Sequence, residues 1–382
     1  MNREHRFFIN EHPKTLLLGI QAPYNKTLDI DSYFEEFVNL VKSNNIQYDH
    51  ELFIKLRETD TGYFLTQGKL QEIKDFCDKE NIEEVIISEP LTGQQERNLR
   101  DILRCEIFDR TQLILEIFEK SAHSAEGKIQ VEIAMLQFKK TRLAGRGKYF
   151  SQQAGRIGTK GPGETQKEKD KRHIENTILK LKRQLVKLHQ ARETQRKKRL
   201  GSNLPRLCLI GYTNAGKSSI LNALTKSTVL AEDRLFATLD TTTRELYSNS
   251  MKIALISDTV GFIQLLPPQL IEAFKSTLSE LKYADLLLQV VDVSDPNWQS
   301  HIQVVNAILD DLSIHKPMIY VFNKADKVPM IDFLKPRLNT YQPCAITSTL
   351  SKEGMEPLIS AIHEWQSTRS ITPEESVNQT SE

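Results

Sequence analysis

Runs of apolar residues alternate with helical periodicities along the N-terminal third of the chain. Residues 14–20 and 84–88 are short apolar runs of the kind that form buried parallel strands. Residues 31–44 and 68–79 instead carry apolar side chains near a 3.6-residue period, which is typical of helices packed on one face. This alternation predicts a small α/β domain over residues 14–120.

The middle of the chain, residues 121–200, has the pattern of a helical hairpin. A helix is predicted over residues 124–142, with Ser124 as its N-cap. Six glycines among basic and polar residues predict a mobile loop without regular structure over residues 143–165. Apolar residues then recur at intervals of 4, 3, 4 and 3, which predicts a second helix over residues 166–197, antiparallel to the first. This seam consists of Ile174, Ile178, Leu181, Leu185 and Leu188.

The C-terminal half alternates strand-like runs with helical stretches, and it predicts a doubly wound, mostly parallel sheet over residues 204–366. The strand-like runs are residues 206–210, 252–256, 286–292 and 317–322. Residues 1–13 form a polar N-terminal extension, and residues 367–382 form a polar tail that we expect to be disordered.

Four short motifs in this half follow the order in which a guanine-nucleotide switch meets phosphate, magnesium and base. They are Gly211-Tyr212-Thr213-Asn214-Ala215-Gly216-Lys217-Ser218, Phe236-Ala237-Thr238, Asp258-Thr259-Val260-Gly261 and Asn323-Lys324-Ala325-Asp326. The first motif follows a predicted strand and opens a predicted helix, as a phosphate loop does. Gly211 and Gly216 allow the backbone to turn successive N–H groups toward a phosphate, which predicts a nucleotide as the ligand. With the fourth motif, the expected ligand is GTP or GDP.

The side chains of these motifs suit phosphoryl transfer with Mg²⁺. Lys217 would bridge the β- and γ-phosphates, and the Ser218 hydroxyl would bind the metal. Asp258 follows a predicted strand and can hold Mg²⁺ through water, while the Gly261 amide can contact the γ-phosphate. The Asp326 carboxylate can accept hydrogen bonds from the ring N–H and the amine of guanine, and adenine has no such adjacent pair of donors.

Two further positions concern hydrolysis. Thr238 is the expected second magnesium ligand and the third catalytic position beside Lys217 and Gly261; the threonines at 241–243 compete for this role. Phe262 stands where many hydrolytic switches have a glutamine that orients the attacking water. Because a phenyl ring cannot hydrogen-bond to water, we expect slow intrinsic hydrolysis that a partner accelerates.

Charge is distributed unevenly along the chain, and this adds a candidate partner. The 382 residues are 39% hydrophobic and carry a net charge of only +1, yet residues 139–200 contain 20 Lys or Arg against 5 Asp or Glu. Such a segment favours a polyanionic partner, and RNA is the expected one. A solvated helical face beside a flexible linker is the alternative.

Cysteine usage and hydropathy exclude several classes of protein. Four widely separated cysteines without a Cys-x-x-Cys pair argue against a disulfide framework or a zinc ribbon. Residues 1–14 lack an apolar signal region, and the longest apolar runs are too short to span a membrane. We therefore expect a cytoplasmic protein, with partial membrane association left open.

Several segments outside the four motifs carry a family resemblance. They are Gln94-Gln95-Glu96-Arg97-Asn98-Leu99, Asp109-Arg110-Thr111 running into residues 113–118, residues 126–132, Gly161-Pro162-Gly163-Glu164-Thr165-Gln166 and Phe236-Ala237-Thr238-Leu239-Asp240. With these segments the chain resembles the HflX family of ribosome-associated GTPases over residues 14–365. The resemblance implies an N-terminal α/β domain, a helical hairpin with a glycine-rich loop, and a GTPase domain.

The resemblance also implies partners and further site residues. Family members bind the large ribosomal subunit and split or rescue stalled ribosomes under stress. Here residues 139–200 and the N-terminal domain would contact ribosomal RNA, and the free protein is expected to be a monomer. The site would extend to Leu239 and Asp240, and a loop closing over guanine would be formed by Ser348, Thr349 and Leu350.

Two other functions are compatible with the same motifs. One is a GTP-gated regulator of a protein partner, in which the hairpin seam binds another helix. The other is a nucleotide-driven enzyme that remodels RNA.

Overall fold

The structure is a computed structural model that describes most of the chain. It covers residues 12–25, 29–143, 166–199, 204–225, 235–236, 242–248, 251–265, 267, 270 and 281–370. Residues 144–165, which make up nearly all of the predicted glycine-rich loop, and the tail from 371 lie outside the described residues. The expectations for both segments therefore stay predictions.

The chain divides into two compact units, with the main boundary between Gln195 and Arg196; residues 265–274 group with the first unit. The first unit contains a four-stranded parallel sheet in the order β2-β1-β3-β4. Its strands are β1 (Thr15–Gln21), β2 (His50–Lys55), β3 (Glu84–Ile87) and β4 (Glu106–Asp109). Its helices up to residue 121 are α1 (Ile30–Ser43), α2 (Gln67–Glu80), α3 (Gly93–Leu103) and α4 (Arg110–Ser121).

Local sequence signals explain where two of these helices begin. The Asp29 carboxylate caps α1 by accepting hydrogen bonds from the backbone N–H groups of residues 31 and 32. Thr92 and Gln95 form a reciprocal capping box at the start of α3. Helices α2 and α3 bury their apolar faces in one cluster with alternate residues of β1, which is almost fully buried along its length. The strand therefore reads as a continuous apolar run.

The helical hairpin consists of α5 (Ala125–Leu143) and α6 (Gln166–Arg199). The Ser124 hydroxyl accepts a hydrogen bond from the Gly127 amide at 2.9 Å, as expected of an N-cap. The helices meet in an apolar cluster that includes four residues of the predicted seam. Its members are Ile129, Ile133, Leu136, Ile174, Ile178, Leu181 and Leu185.

Charged contacts fix the C-terminal end of α5 to the α/β part of the first unit. The Arg142 guanidinium lies 2.6 Å from Asp109 Oδ2 and 2.7 Å from Glu96 Oε2. Asp109 is 2% exposed, and its burial raises the pKa of the carboxyl group, while Arg142 lowers it. The helix end from which the glycine-rich loop departs is thereby held on the sheet.

The second unit contains a six-stranded sheet in the order β10-β9-β8-β5-β7-β6. Its strands are β5 (Arg206–Gly211), β6 (Thr242–Ser248), β7 (Met251–Asp258), β8 (Leu286–Asp292), β9 (Met318–Asn323) and β10 (Cys344–Ile346). Its described helices of eight or more residues are α7 (Lys217–Thr225), α8 (Trp298–Asp311), α9 (Ile331–Leu338) and α10 (Glu356–Ser370). The doubly wound sheet is confirmed, and the edge strand β6 is antiparallel to β7.

Strand order creates a switch point in this sheet. The chain leaves β5 toward β7 on one side and later returns to β8 on the other side of β5. Residues that follow β5 therefore lie in the crevice where doubly wound sheets bind ligands. Among the described residues, no helix is both long and apolar enough to cross a membrane.

Candidate nucleotide site

The phosphate-loop motif lies at this crevice, between the end of β5 and the start of α7. Gly211 and Gly216 have φ values of 147° and 93°, which L side chains rarely adopt. A Cβ at Gly211 would collide with the Val290 carbonyl of β8. Both glycines are therefore required by the backbone path, as the sequence predicted.

The Asn323 side chain fixes the phosphate loop to the end of β9. Its amide Nδ2 donates a hydrogen bond to the Ala215 carbonyl at 2.9 Å. A Cβ at Gly216 would collide with the same nitrogen, so the small residue is needed for this contact as well as for its φ value. Thr347 supports the amide from the other side, because its hydroxyl donates to Asn323 Oδ1 at 3.5 Å.

Lys217 is a buried cation at the start of α7, with 7% of its surface exposed. Its ammonium group donates to the Tyr212 carbonyl at 2.8 Å and to the Gly211 carbonyl at 3.3 Å. Burial lowers the pKa of Lys217 to about 8; Asp258 opposes this shift, and Lys324 adds to it. A phosphate beside this ammonium would raise the pKa of Lys217 again, because it would stabilise the charged form.

The end of β7 brings an acid beside the start of α7. Asp258 is fully buried, and its Oδ2 accepts a hydrogen bond from the Ser218 hydroxyl at 2.7 Å. The next residue, Thr259, is anchored through its hydroxyl to the Leu209 carbonyl at 2.7 Å. A serine hydroxyl and a buried carboxylate in contact are the oxygen donors that Mg²⁺ prefers, so these residues fit the predicted metal.

Gly261 and Phe262 run beside the phosphate loop. A Cβ at Gly261 would lie 2.9 Å from Lys217 Nζ and 2.9 Å from the Thr213 Cα, so only glycine fits without displacement. The backbone of Phe262 forms a parallel bridge with the loop: its N–H donates to the Gly211 carbonyl at 3.0 Å, and its carbonyl accepts from the Thr213 amide at 2.7 Å. Its side chain is 2% exposed.

The residues predicted to select the base lie at the ends of β9 and β10. Lys324 has a left-handed φ of 61°, and its ammonium lies 2.7 Å from Asp292 Oδ2. The Ser348 hydroxyl donates to Asp326 Oδ1 at 2.5 Å. The structure therefore brings the loop of residues 348–350 to Asp326, and Leu350 is 80% exposed there.

Asp292 and Thr347 belong to no predicted motif, and Tyr212 was predicted only as a member of the loop. Asp292 ends β8 and pairs in register with Asn323 of β9. A polar residue at the end of an apolar strand is the sequence signal from which Asp292 could have been predicted. Phe236 is described, with a φ of 58° and 2% exposure. Ala237, Thr238, Leu239 and Asp240 lie outside the described residues.

A phosphate loop at the switch point, with a buried acid on one neighbouring strand and an Asn-Lys-x-Asp sequence on the far side, defines the class of phosphate-loop GTPases. Comparison with known families gives the same class. Residues 206–324 match a family described as 50S ribosome-binding GTPase. Residues 31–119 and 121–199 match families described as the N-terminal and the middle region of a GTP-binding GTPase.

Several curated relatives carry one name, GTPase HflX. The relative from Alkalihalophilus pseudofirmus is 46% identical over 82% of this chain and 74% of its own length. The relative from Caldanaerobacter subterraneus is 43% identical over 86% and 76%, and that from Escherichia coli is 39% identical over 80% and 71%. A GTP-binding protein from Sulfolobus solfataricus, solved with GDP, is 25% identical with a TM-score of 0.45 and covers 93% of this chain and 99% of its own.

The chain belongs to the HflX family of GTPases. It binds guanine nucleotide and hydrolyses GTP to GDP and phosphate.

Proposed function

We propose that this GTPase associates with the large ribosomal subunit in its GTP form and splits or rescues stalled ribosomes under stress. Family membership and the match of residues 206–324 to a 50S ribosome-binding GTPase family support a ribosomal partner. The excess of positive charge in residues 139–200 is the observation that favours ribosomal RNA as the surface bound.

The exposed side of α6 supplies part of this charge in a form that RNA phosphates can reach. One face of the helix is buried against α5, and basic side chains occupy the remaining faces. Among the side chains of α6 whose exposure the structure describes, the exposed cations are Lys169, Lys171, Arg172, Lys180, Lys182, Arg183 and Lys187. A rigid helix with this pattern suits the shape and phosphate recognition that dominates binding to double-stranded RNA.

In the proposed nucleotide site, Ser218 and Thr238 would hold Mg²⁺, and Asp258 would do so through water. The metal would supply neutralisation of charge on the phosphates during transfer. Lys217 exchanges its hydrogen bonds with the loop carbonyls for bonds to phosphate oxygens, and the Gly261 amide contacts the γ-phosphate. Asp326 accepts the two hydrogen bonds from guanine, with Ser348 orienting its carboxylate.

The position of Phe262 supports a slow intrinsic reaction. Its side chain is buried and its backbone groups bond to the phosphate loop, so it offers the attacking water no hydrogen bond. Ribosomal subunits would then accelerate hydrolysis by ordering the segments that position water.

Sedimentation with purified large subunits tests the proposal. The protein should co-migrate with a GTP analogue far more than with GDP, and the affinity should fall by about 10³-fold between about 50 and 200 mM salt. Lys180→Glu should weaken binding, whereas Lys335→Glu, at another exposed lysine on α9, should not. Subunits should also raise the wild-type GTPase rate many-fold, and Lys217→Ala should abolish it.

Other outcomes identify the alternatives. Absence of co-migration even at low salt would favour the GTP-gated regulator of a protein partner. RNA strand separation that survives Lys217→Ala would indicate an RNA-remodelling enzyme. Equal GTPase rates with and without subunits would refute activation by the ribosome.

A further inference from the structure

The backbone of Tyr212 belongs to the phosphate loop, but its side chain contacts residues outside that loop. Its ring stacks on the imidazole of His301, with centroids 3.8 Å apart and planes 9° from parallel. Tyr212 and His301 are 5% and 9% exposed. The pair connects two segments that are 89 residues apart in the chain, the phosphate loop and the first turn of α8.

The Tyr212 hydroxyl holds the backbone that follows the Asp-x-x-Gly motif. It accepts a hydrogen bond from the backbone N–H of Gln264 at 2.8 Å. Two residues earlier, Phe262 exchanges backbone hydrogen bonds with Gly211 and Thr213. The segment is thus attached to the phosphate loop at two successive points, first through main chain and then through the Tyr212 side chain.

This attachment bears directly on Gly261, which immediately precedes the bridged residue. The space at Gly261 is narrow, because Lys217 Nζ and Thr213 both lie within 2.9 Å of the Cβ position. A small displacement of residues 262–264 would therefore move the Gly261 amide relative to the Lys217 ammonium. In phosphoryl transfer such misplacement lowers the rate more than it lowers ground-state binding.

Helix α8 keeps the stacking partner in place. Trp298 begins the helix and packs edge-on against Phe322 of β9, at 5.6 Å between ring centroids. One turn later, the His301 amide donates to the Asn297 carbonyl at 3.0 Å. The imidazole is therefore carried on a helix that is fixed to the sheet, and the Tyr212 ring has a rigid surface to pack on.

We propose that Tyr212 and His301 are positioning residues for GTP hydrolysis: His301 fixes the Tyr212 ring, and the Tyr212 hydroxyl fixes the Gln264 amide so that Gly261 stays aligned with Lys217. This inference rests on the proposed nucleotide site and adds two side chains that act by holding the backbone of residues 262–264. It predicts that the two side chains affect kcat and leave nucleotide affinity unchanged.

Single-turnover hydrolysis and GDP titration of point variants test the pair. Tyr212→Phe keeps the stacked ring and removes the hydroxyl that accepts from the Gln264 backbone N–H, so kcat should fall about 10-fold while the Kd for GDP stays within about twofold. His301→Ala should act in the same direction. His301→Phe retains a ring that can stack, so its kcat should be closer to the wild-type value than that of His301→Ala. Tyr341→Phe, in the cluster around Trp298, is the matched control and should be neutral.

Hydrogen exchange at the Gln264 amide provides a second readout, and it should be faster in Tyr212→Phe than in the wild type. Unchanged kcat in Tyr212→Phe would overturn the inference, as would equal losses in kcat and GDP affinity, which would make Tyr212 a structural part of the loop. Failure of the wild type to bind guanine nucleotide would instead overturn the site itself.

Discussion

At the scale of single residues, the phosphate loop depends on contacts that no spacing in the sequence reveals. The glycine positions were predictable, because the motif requires residues that tolerate positive φ. The bond from Asn323 to Ala215 joins residues that are 108 positions apart, and only the fold brings them together. The same holds for the Tyr212 and His301 rings.

Gly216→Ala should weaken GDP binding by about 100-fold, because positive-φ strain of about 1 to 3 kcal/mol adds to the loss of the Asn323 bond. Calorimetric titration measures the change. Gly68→Ala is the control: the added Cβ in α2 meets no atom within 4 Å, so GDP affinity should not change. An affinity loss in both variants, or in neither, would contradict this account of Gly216.

Among the helices and strands, hydrophobic periodicity predicted the buried strands well and the edge strands poorly. The apolar runs of β5, β8 and β9 are buried on both faces, which gives them an unmistakable pattern. Strand β2 alternates between half-buried and exposed positions at the edge of its sheet, so its sequence carries a weaker signal. Strand β6 is antiparallel to β7, from which only two residues separate it. Its side chains are mostly exposed, so no apolar run marks this edge strand in the sequence.

The hairpin offers a direct test of the seam. Leu181 is 8% exposed in the cluster between α5 and α6, whereas Leu179 is 54% exposed on the same helix. Leu181→Ala should destabilise the hairpin by about 2 to 4 kcal/mol through the cavity it leaves, and Leu179→Ala by less than about 0.5 kcal/mol.

Hydrogen exchange across α6 measures both changes, since local opening reports the stability of this element. If the hairpin presents the basic face of α6 to RNA, the Leu181 variant should also bind large subunits more weakly. Similar exchange rates in the two variants would show that the seam does not hold the hairpin together.

At the scale of the whole molecule, the buried Lys217 makes stability depend on pH. Its pKa in the folded state is about 8, below the ordinary lysine value of 10.5, so the unfolded chain binds more protons between these values. The free energy of unfolding without nucleotide should therefore rise with pH, by about 2 kcal/mol between pH 8 and about 9.5. Below pH 8 the cost of burying the charge is fully present.

Urea unfolding followed by tryptophan fluorescence measures this rise, because Trp298 and Trp365 are the protein's two tryptophans and both lie in the second unit. Lys217→Met removes the titrating group, and its stability should lack the increase. Parallel pH profiles for the two proteins would show that another group causes the change.

One feature of the second unit links the recognition of the two ends of a nucleotide. The same short segment that carries Asp326 also holds the phosphate loop, through a single amide of Asn323. In the proposed site, base and phosphates would therefore contact segments that Asn323 joins directly, and the free energies that they contribute would be coupled instead of additive. The affinity for a guanosine nucleotide would consequently depend on the distance between its base and its phosphates, as well as on each group separately.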